Sequence, residues 1–428
     1  MTKWRAVGLA TLFFARASSA LSPAEALKWR EDLRFMAGEM EKTHKNAYHS
    51  ISRTDFSALV SALDEKIPSL GRDEVIVEMA KIVAAVHDGH TNIYPTRDPK
   101  IGFHELPVQF TFFGRDLYVR AADAAHGNLV GARVVRIGDQ DVQSAYALVA
   151  RMIGSENNQG ARYWAQYLLA MPEVLEAFHV VSSRDEVALT VETGHGETTA
   201  VLRDFEPVPI MTGDVATLFN RRKGWIDARD LSGREDPSWL RHTDEPFHFE
   251  HAGNVLYVQI NQVTNGPRGT LARFAERVRD EIVRTRPEKA AIDLRLNRGG
   301  DGTLIVPLVR ALVQSTEIDR KGRLFGIIGP ATFSAAQMLV DALEKYTNIT
   351  FVGEPTGSRG NTYGDSRKIV LPNSGITVRA AIYWWQDWYP WDTRDATVPQ
   401  LPAPLTFEDY RQQIDPALRL IEAQQPVP

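Results

Sequence analysis

The sequence predicts a layered α/β protein, and three consecutive strand–loop segments carry that prediction. The first, residues 289–313, has an apolar strand, a paired Gly299–Gly300 turn and a helix. The second, residues 325–343, has an apolar strand, a turn of small residues and an amphipathic helix, and a third strand lies in residues 349–357. Such segments pack helices against a sheet. They place chemistry at the edge where the strands end.

Composition limits the possible functions. A chain of 428 residues is long enough for two or three domains. Its 43% hydrophobic and 24% charged residues are ordinary for a globular protein. A net charge of −5 without a basic stripe argues against a nucleic-acid partner. The chain has no cysteine and no phosphate-loop, zinc-protease or calcium-loop motif, so we expect no disulfide, cofactor or metal.

Residues 1–20 are predicted to be a signal peptide. Lys3 and Arg5 precede an apolar run over residues 6–15, which is too short to span a bilayer. Ser18 and Ala20 fit the small-residue cleavage pattern, so cleavage is expected after Ala20. This predicts a periplasmic or secreted bacterial protein, and an ordinary N-terminal helix is the alternative. No later apolar run is long enough to be a transmembrane helix.

Four regions follow the predicted signal peptide. Residues 21–100 have helical periodicity, and the first helix is expected to begin at the Ser22 cap. Residues 101–204 alternate as strands, end in a predicted hairpin and partly match the second half of a PDZ domain, with a plain β-rich spacer as the alternative. Residues 205–250 are predicted to be a linker, and residues 251–428 form the α/β core.

Ser334 is the leading candidate for chemistry. It lies at the entrance of the helix after the second core strand, between Phe333 and Ala335. Helix entrances offer unpaired N–H groups and partial positive charge, which are what an oxyanion requires. A helix-capping serine is the commoner use of this position. This segment alone therefore leaves both interpretations open.

Three motifs follow one another along the core: DLRLNRGG, GPATFSAAQ and VGEPTG. In this order they resemble the tail-specific (C-terminal processing) serine peptidases and their tricorn-like relatives. An earlier piece, VAAVHDGHTNI at residues 83–93, resembles the Asp-Gly-His-Thr signature of the family. The resemblance spans residues 30–410 or nearly so. It implies a crotonase-like core, an acyl-enzyme mechanism at Ser334 and a polypeptide substrate.

The resemblance implies two possible bases for a serine nucleophile. Processing-type members use a lysine in the loop after the third strand, where this chain has Arg359. Arginine stays protonated and cannot act as a base, and Lys368 is out of register. The tricorn-like branch uses a histidine at the position of His90, and histidine titrates near neutral pH. His87 is the neighbouring competitor, and a structural histidine is the alternative.

A catalytic triad also requires an acid that fixes the imidazole tautomer. In the tricorn-like branch this acid precedes a proline that corresponds to Pro399. Asp392 fits that position best, with Asp395 and Glu354 as alternatives. The implied oxyanion hole consists of the N–H groups of Ala335 and of Gly299 or Gly300.

The sequence therefore predicts an exported serine endopeptidase. A catalytically inert protein that binds hydrophobic ligands or peptides on the same scaffold is the main alternative. Arg359 in place of lysine and six aromatic residues within residues 383–391 would suit it. Those aromatic residues could form a substrate wall, a subunit contact or the packing of a hairpin corner. An esterase-type acyl hydrolase is a further alternative, and the oligomeric state is left open.

Overall fold

The computed structural model describes residues 20–194, 196–211 and 219–425. The predicted signal peptide, apart from Ala20, lies outside these residues. Among the described helices, none combines the length and the apolar character that crossing a membrane requires. Along the chain follow a helical unit, a β-rich unit and an α/β core.

The N-terminal unit consists of helices that pack their apolar faces together. The first helix, α1 (Pro23–Thr43), begins at a reciprocal cap: Ser22 Oγ accepts the Glu25 N–H, and the Glu25 carboxylate accepts the Ser22 N–H. Leu33 and Met36 of this helix are fully buried. The predicted start at Ser22 is confirmed. The other helices are α2 (Arg53–Lys66) and α3 (Arg72–Ala84).

The β-rich unit is built on a seven-stranded sheet. The hairpin predicted at its end is confirmed, with strands that pair from Val187–Leu202 to Thr193–Gly196. The strands of this unit are β1 (His104–Glu105), β2 (Val108–Phe113), β3 (Asp116–Asp123), β4 (Arg133–Ile137), β5 (Gln140–Asp141), β6 (Val187–Thr193), β7 (Gly196–Leu202), β8 (Glu206–Pro207) and β9 (Trp225–Asp227), and its helices are α4 (Val142–Val149), α5 (Asn158–Leu168) and α6 (Pro172–Ala177). β1 and β8 form a separate pair, and the other strands form the sheet.

The α/β core confirms the predicted strand–helix alternation. Its strands are β10 (Phe247–Ala252), β11 (Val255–Ile260), β12 (Lys289–Asp293), β13 (Leu324–Ile328), β14 (Thr350–Gly353), β15 (Asn361–Val370), β16 (Thr377–Gln386) and β17 (Leu401–Pro402), and its helices are α7 (Leu271–Thr285), α8 (Val306–Gln314), α9 (Ala335–Tyr346), α10 (Phe407–Arg411) and α11 (Pro416–Ala423). The sheet order is β10-β11-β12-β13-β14-β17, with parallel pairing from β11 onward. Because these parallel strands follow chain order, α7, α8 and α9 cover one face. The opposite face packs against α10 and α11.

The hairpin of β15 and β16 leaves the core and reaches the N-terminal helices. Ile369, Val378 and Ala380 belong to the same buried cluster as Leu33 and Met36 of α1. The N-terminal helices and this hairpin of the α/β core therefore share one hydrophobic core, which brings loops of the two units together.

A buried polar network joins the β-rich unit to the core. Arg120 on β3 is fully buried and pairs with Asp227. Tyr410 on α10 donates to Asp227 Oδ1 at 2.8 Å, and Arg229 Nε lies 3.2 Å from the same oxygen. Burial raises the pKa of Asp227, but the two guanidinium groups outweigh it and the pKa is lowered. The carboxylate therefore compensates two buried cations.

Asp227→Ala should destabilise the fold strongly, because it removes the carboxylate that pairs with the buried Arg120 and one of the two carboxylates that pair with Arg229. The loss expected for breaking such a pair is about 3–5 kcal/mol. Glu186→Ala is the matched control, since its pair with Arg203 is exposed and is worth about 1 kcal/mol at most. Urea unfolding of both variants checks this, and equal losses would contradict it.

Candidate active site

Ser334 occupies a strained turn between a strand and a helix. β13 ends at Ile328, and α9 begins directly after Ser334, whose backbone has φ 58° and ψ −127°. A residue other than glycine adopts this left-handed conformation at a cost, and such strain collects at functional sites. Within the described chain, the Ser334 side chain makes no capping hydrogen bond. The capping interpretation is therefore wrong.

His90 meets Ser334 as the resemblance predicted. Its Nε2 atom lies 3.0 Å from Ser334 Oγ, across 244 positions of sequence. The imidazole ring stacks on Phe333 with the ring centroids 4.6 Å apart. The competitor His87 is exposed. The histidine that can take the serine proton is therefore His90.

Asp88 fixes the loop that carries His90. Its Oδ1 accepts the His90 backbone N–H at 2.9 Å, and its Oδ2 is 2.8 Å from His44 Nε2. The Asn46 N–H donates to His44 Nδ1 at 2.9 Å, so the proton of that ring is on Nε2 and is donated to Asp88. Burial raises the pKa of Asp88, but the hydrogen bond and attraction of His44 outweigh it, and the pKa is lowered.

The hairpin holds the same loop from the other side. Asn92 N–H donates to Arg379 O at 3.1 Å, and Arg379 N–H donates to Asn92 O at 2.9 Å. The Ala381 N–H donates to Thr91 Oγ1 at 3.0 Å. β16 therefore extends its pairing to the loop and sets the position of His90.

Two clusters of the described residues could supply metal ligands: His44, His49 and Asp88 form one, and His242, Glu245 and His248 form the other. In the first cluster the protonated Nε2 of His44 is already bonded to Asp88. A metal ion would bind the lone pair of that nitrogen, which is available only when the nitrogen carries no proton. The hydrogen-bonded pair accounts for this cluster without an ion.

The glycine pair approaches Ser334 closely. Gly299 has φ 111°, and a Cβ there would lie 2.8 Å from Ser334 Cβ. Its N–H donates to Asn297 Oδ1 at 2.8 Å, so the prediction of Gly299 as an oxyanion donor is wrong. Within the described ranges, the N–H groups of Gly300 and Ala335 have no acceptor. These two amides are the available oxyanion donors.

The predicted acid Asp392 does not reach His90. Its carboxylate accepts the Arg394 N–H and pairs with the Arg394 guanidinium, each at 2.8 Å. Asp395 is exposed, and Glu354 lines a cavity of about 330 Å³ between the core and the β-rich unit. Among the described residues, His90 Nδ1 has no hydrogen-bond partner. The prediction that Asp392 contacts the imidazole is therefore wrong.

Glu156 is a site residue that the sequence did not indicate. Its Oε1 accepts the Gly89 N–H at 3.1 Å and the Thr362 hydroxyl at 2.5 Å. Burial raises the pKa of Glu156, and attraction by His90 is the largest opposing effect. Glu156 lies in an irregular segment before α5, where no periodicity or motif marks it. Only the fold brings it to His90.

The remaining candidates are Lys368, Arg359 and the aromatic residues within residues 383–391. Lys368 is exposed on β15, whereas His90 is the residue whose ring nitrogen lies at Ser334 Oγ. Arg359 lines a smaller cavity of about 180 Å³ beside Trp384. Tyr383 and Trp391 are 53% and 75% exposed, so hairpin packing does not account for them.

Comparison with solved structures shows the fold of the chain. Mature CPAF complexed with lactacystin matches with a TM-score of 0.60 and 12% identity, over 93% of this chain and 97% of that one. Mature CPAF alone matches with a TM-score of 0.59 and 12% identity, over 93% and 96%. The photosystem II D1 C-terminal processing protease has a TM-score of only 0.42 at 14% identity, over 90% and 94%. No protein-family model and no curated protein sequence matches the chain.

These neighbours are tail-specific peptidases, the class that the sequence motifs resemble. At such low identity the CPAF match establishes the fold, a mixed α/β architecture with several sheets, along nearly the whole described chain. What this chain does with that fold depends on its own residues.

Asp88→Asn should lower stability in a way that depends on pH. Because the pKa of Asp88 is lowered in the folded protein from its ordinary value of 3.8, its carboxylate stabilises the fold above that pH and stops doing so as pH falls below it. The loss in unfolding free energy should be full at pH 6 and shrink below pH 3.8. Chemical denaturation across this range measures it.

Asp341→Asn is the control with the opposite sign. Burial raises the pKa of Asp341 to about 7. Its ionisation therefore opposes folding increasingly from pH 4 to pH 7, and the variant should gain stability over wild type across that range. A loss for Asp88→Asn that stays constant with pH would contradict the role given to its charge.

Proposed function

We propose that the chain is an exported serine endopeptidase of the tail-specific type, with Ser334 as nucleophile and His90 as general base. The 3.0 Å approach of His90 Nε2 to Ser334 Oγ carries the proposal. The fold shared with CPAF supports it. A serine needs such a base, because its free hydroxyl is a weak nucleophile at neutral pH.

The geometry supports an acyl-enzyme mechanism. Ser334 Oγ attacks the carbonyl carbon of the scissile bond as its proton passes to His90 Nε2. The Gly300 and Ala335 N–H groups donate to the oxyanion of the tetrahedral intermediate. His90 then protonates the leaving amine, and a water molecule activated by His90 releases the acyl group from Ser334.

The finer architecture belongs to the same proposal. We assign a crotonase-like layering to residues 251–428 and a PDZ-like role to the β-rich unit within residues 101–204. The parallel strands in chain order, with α7, α8 and α9 on one face of the sheet, support the first assignment. A strand, a Gly-containing turn, a short strand and a helix over residues 133–149 support the second.

Ser334→Ala and His90→Ala should each abolish labelling by a fluorophosphonate probe, because the first removes the nucleophile and the second its base. His87→Ala is the matched control and should label like wild type, since His87 is exposed and the ring that contacts Ser334 Oγ is that of His90. Gel fluorescence of purified mature protein measures this.

Other labelling results select among the alternatives. A folded wild type that does not react would favour the inert binding protein. Labelling that survives His90→Ala would exclude His90 as the base. Labelled protein that cleaves small esters but no peptide would favour the acyl hydrolase.

Export is proposed from the N-terminal sequence. When the full chain is produced in a bacterium, intact mass should place the mature N-terminus at Leu21 in the periplasm or medium. Ala20→Phe should block processing, because the cleavage site requires a small residue. A wild-type protein that stays in the cytoplasm with Met1 or Thr2 at its terminus would contradict the proposal.

A further inference from the structure

His90 leaves one ring nitrogen unexplained. If Nε2 accepts the Ser334 hydroxyl, a neutral imidazole carries its proton on Nδ1. In the described part of the chain, Nδ1 is shielded from solvent and has no hydrogen-bond partner. A buried N–H without an acceptor is unfavourable, and a serine–histidine pair needs a group at this nitrogen to fix the tautomer.

Glu156 offers the matching atom. Its Oε1 is held by the Gly89 N–H and the Thr362 hydroxyl. Its Oε2 is likewise shielded from solvent and lacks a partner among the described residues. His90 and Asp88 are the charged groups that act on this carboxylate, His90 by attraction and Asp88 by repulsion. A donor without an acceptor thus lies near an acceptor without a donor.

The other nearby carboxylate is already committed. Asp88 accepts the His90 backbone N–H with one oxygen and the His44 ring with the other. Asp392 is paired with Arg394. Glu156 is therefore the acid whose free oxygen is available to the imidazole.

We propose that Glu156 is the positioning residue of the site: it holds His90 in the tautomer with the proton on Nδ1 and stabilises the imidazolium that forms during catalysis. The catalytic part of this inference rests on the proposed function. The two atoms share no hydrogen bond in this structure. Catalytic hydrogen bonds are often long in free enzymes and tighten when substrate binds.

Glu156→Gln separates charge from structure. The glutamine has the same size, and its Oε1 can still accept the Gly89 N–H and the Thr362 hydroxyl. Those two donors would orient its amide nitrogen toward His90, where it would donate to Nδ1 and favour the unproductive tautomer. A purely structural role would survive this change. Glu156→Asp keeps the charge and should partly restore the wild-type behaviour.

The first readout does not require activity. ¹⁵N NMR of the ring nitrogens at pH 8.5, with the His90 signals identified by their loss in His90→Ala, reports the tautomer directly. We expect protonated Nδ1 in wild type and a shift toward protonated Nε2 in Glu156→Gln. An unchanged tautomer in a folded Glu156→Gln variant would overturn the inference, whether or not the protein labels.

The second readout is the rate of fluorophosphonate labelling. Glu156→Gln should lower it by up to about 10⁴-fold, the loss in kcat seen when the acid of a triad is neutralised. Asp392→Asn tests the rival acid, and a loss there without a loss in Glu156→Gln would also overturn the inference. If the tautomer shifts but wild type never labels, positioning by Glu156 stands and the proposed function fails.

Discussion

The site depends on the pairing between the His90 loop and β16. His90 and Ser334 lie 244 positions apart in the sequence, and neither segment alone determines the 3.0 Å distance between Nε2 and Oγ. The two backbone hydrogen bonds between Asn92 and Arg379 register the loop against a strand of the core. β16 belongs to the α/β core that also carries Ser334. A change in the register of this pairing would therefore move His90 relative to Ser334. The Nε2–Oγ contact is a consequence of this shared register.

A second constraint acts at Ser334 itself. Ser334 adopts a left-handed backbone, and the chain tolerates this because the surroundings are closely packed. Gly299 lies so near Ser334 that any side chain there would collide with it. Asn297 accepts the Gly299 N–H and thereby leaves Gly300 as the donor that faces the site. Gly299 and Gly300 therefore have different roles: Gly299 allows the close approach to Ser334, and Gly300 keeps a free N–H group. The sequence alone does not distinguish these roles.

Local patterns predicted those parts of the molecule that local chemistry determines. The Ser22 cap, the hairpin over residues 185–204 and the alternation of strands and helices in the core follow from neighbouring residues, and the motifs indicated Ser334 and His90. Glu156 was not predictable, because tertiary packing brings it from an irregular segment to the His90 loop, where it accepts the Gly89 N–H. Asp392 matched the position of the acid in the family motif, but its carboxylate pairs with Arg394 two residues later. The spacing of a motif does not show which cation pairs with a given carboxylate.

The hairpin of β15 and β16 also determines when, during synthesis of the chain, the site can assemble. β15 and β16 follow Ser334 in the chain, and they supply both the anchor for the His90 loop and part of the hydrophobic core of the N-terminal helices. A nascent chain that ends before β16 has both Ser334 and His90 but lacks the backbone pairing between Asn92 and Arg379. Pairing of such distant segments is slow. Under the proposed function, a chain still being synthesised is therefore inactive until this hairpin has formed.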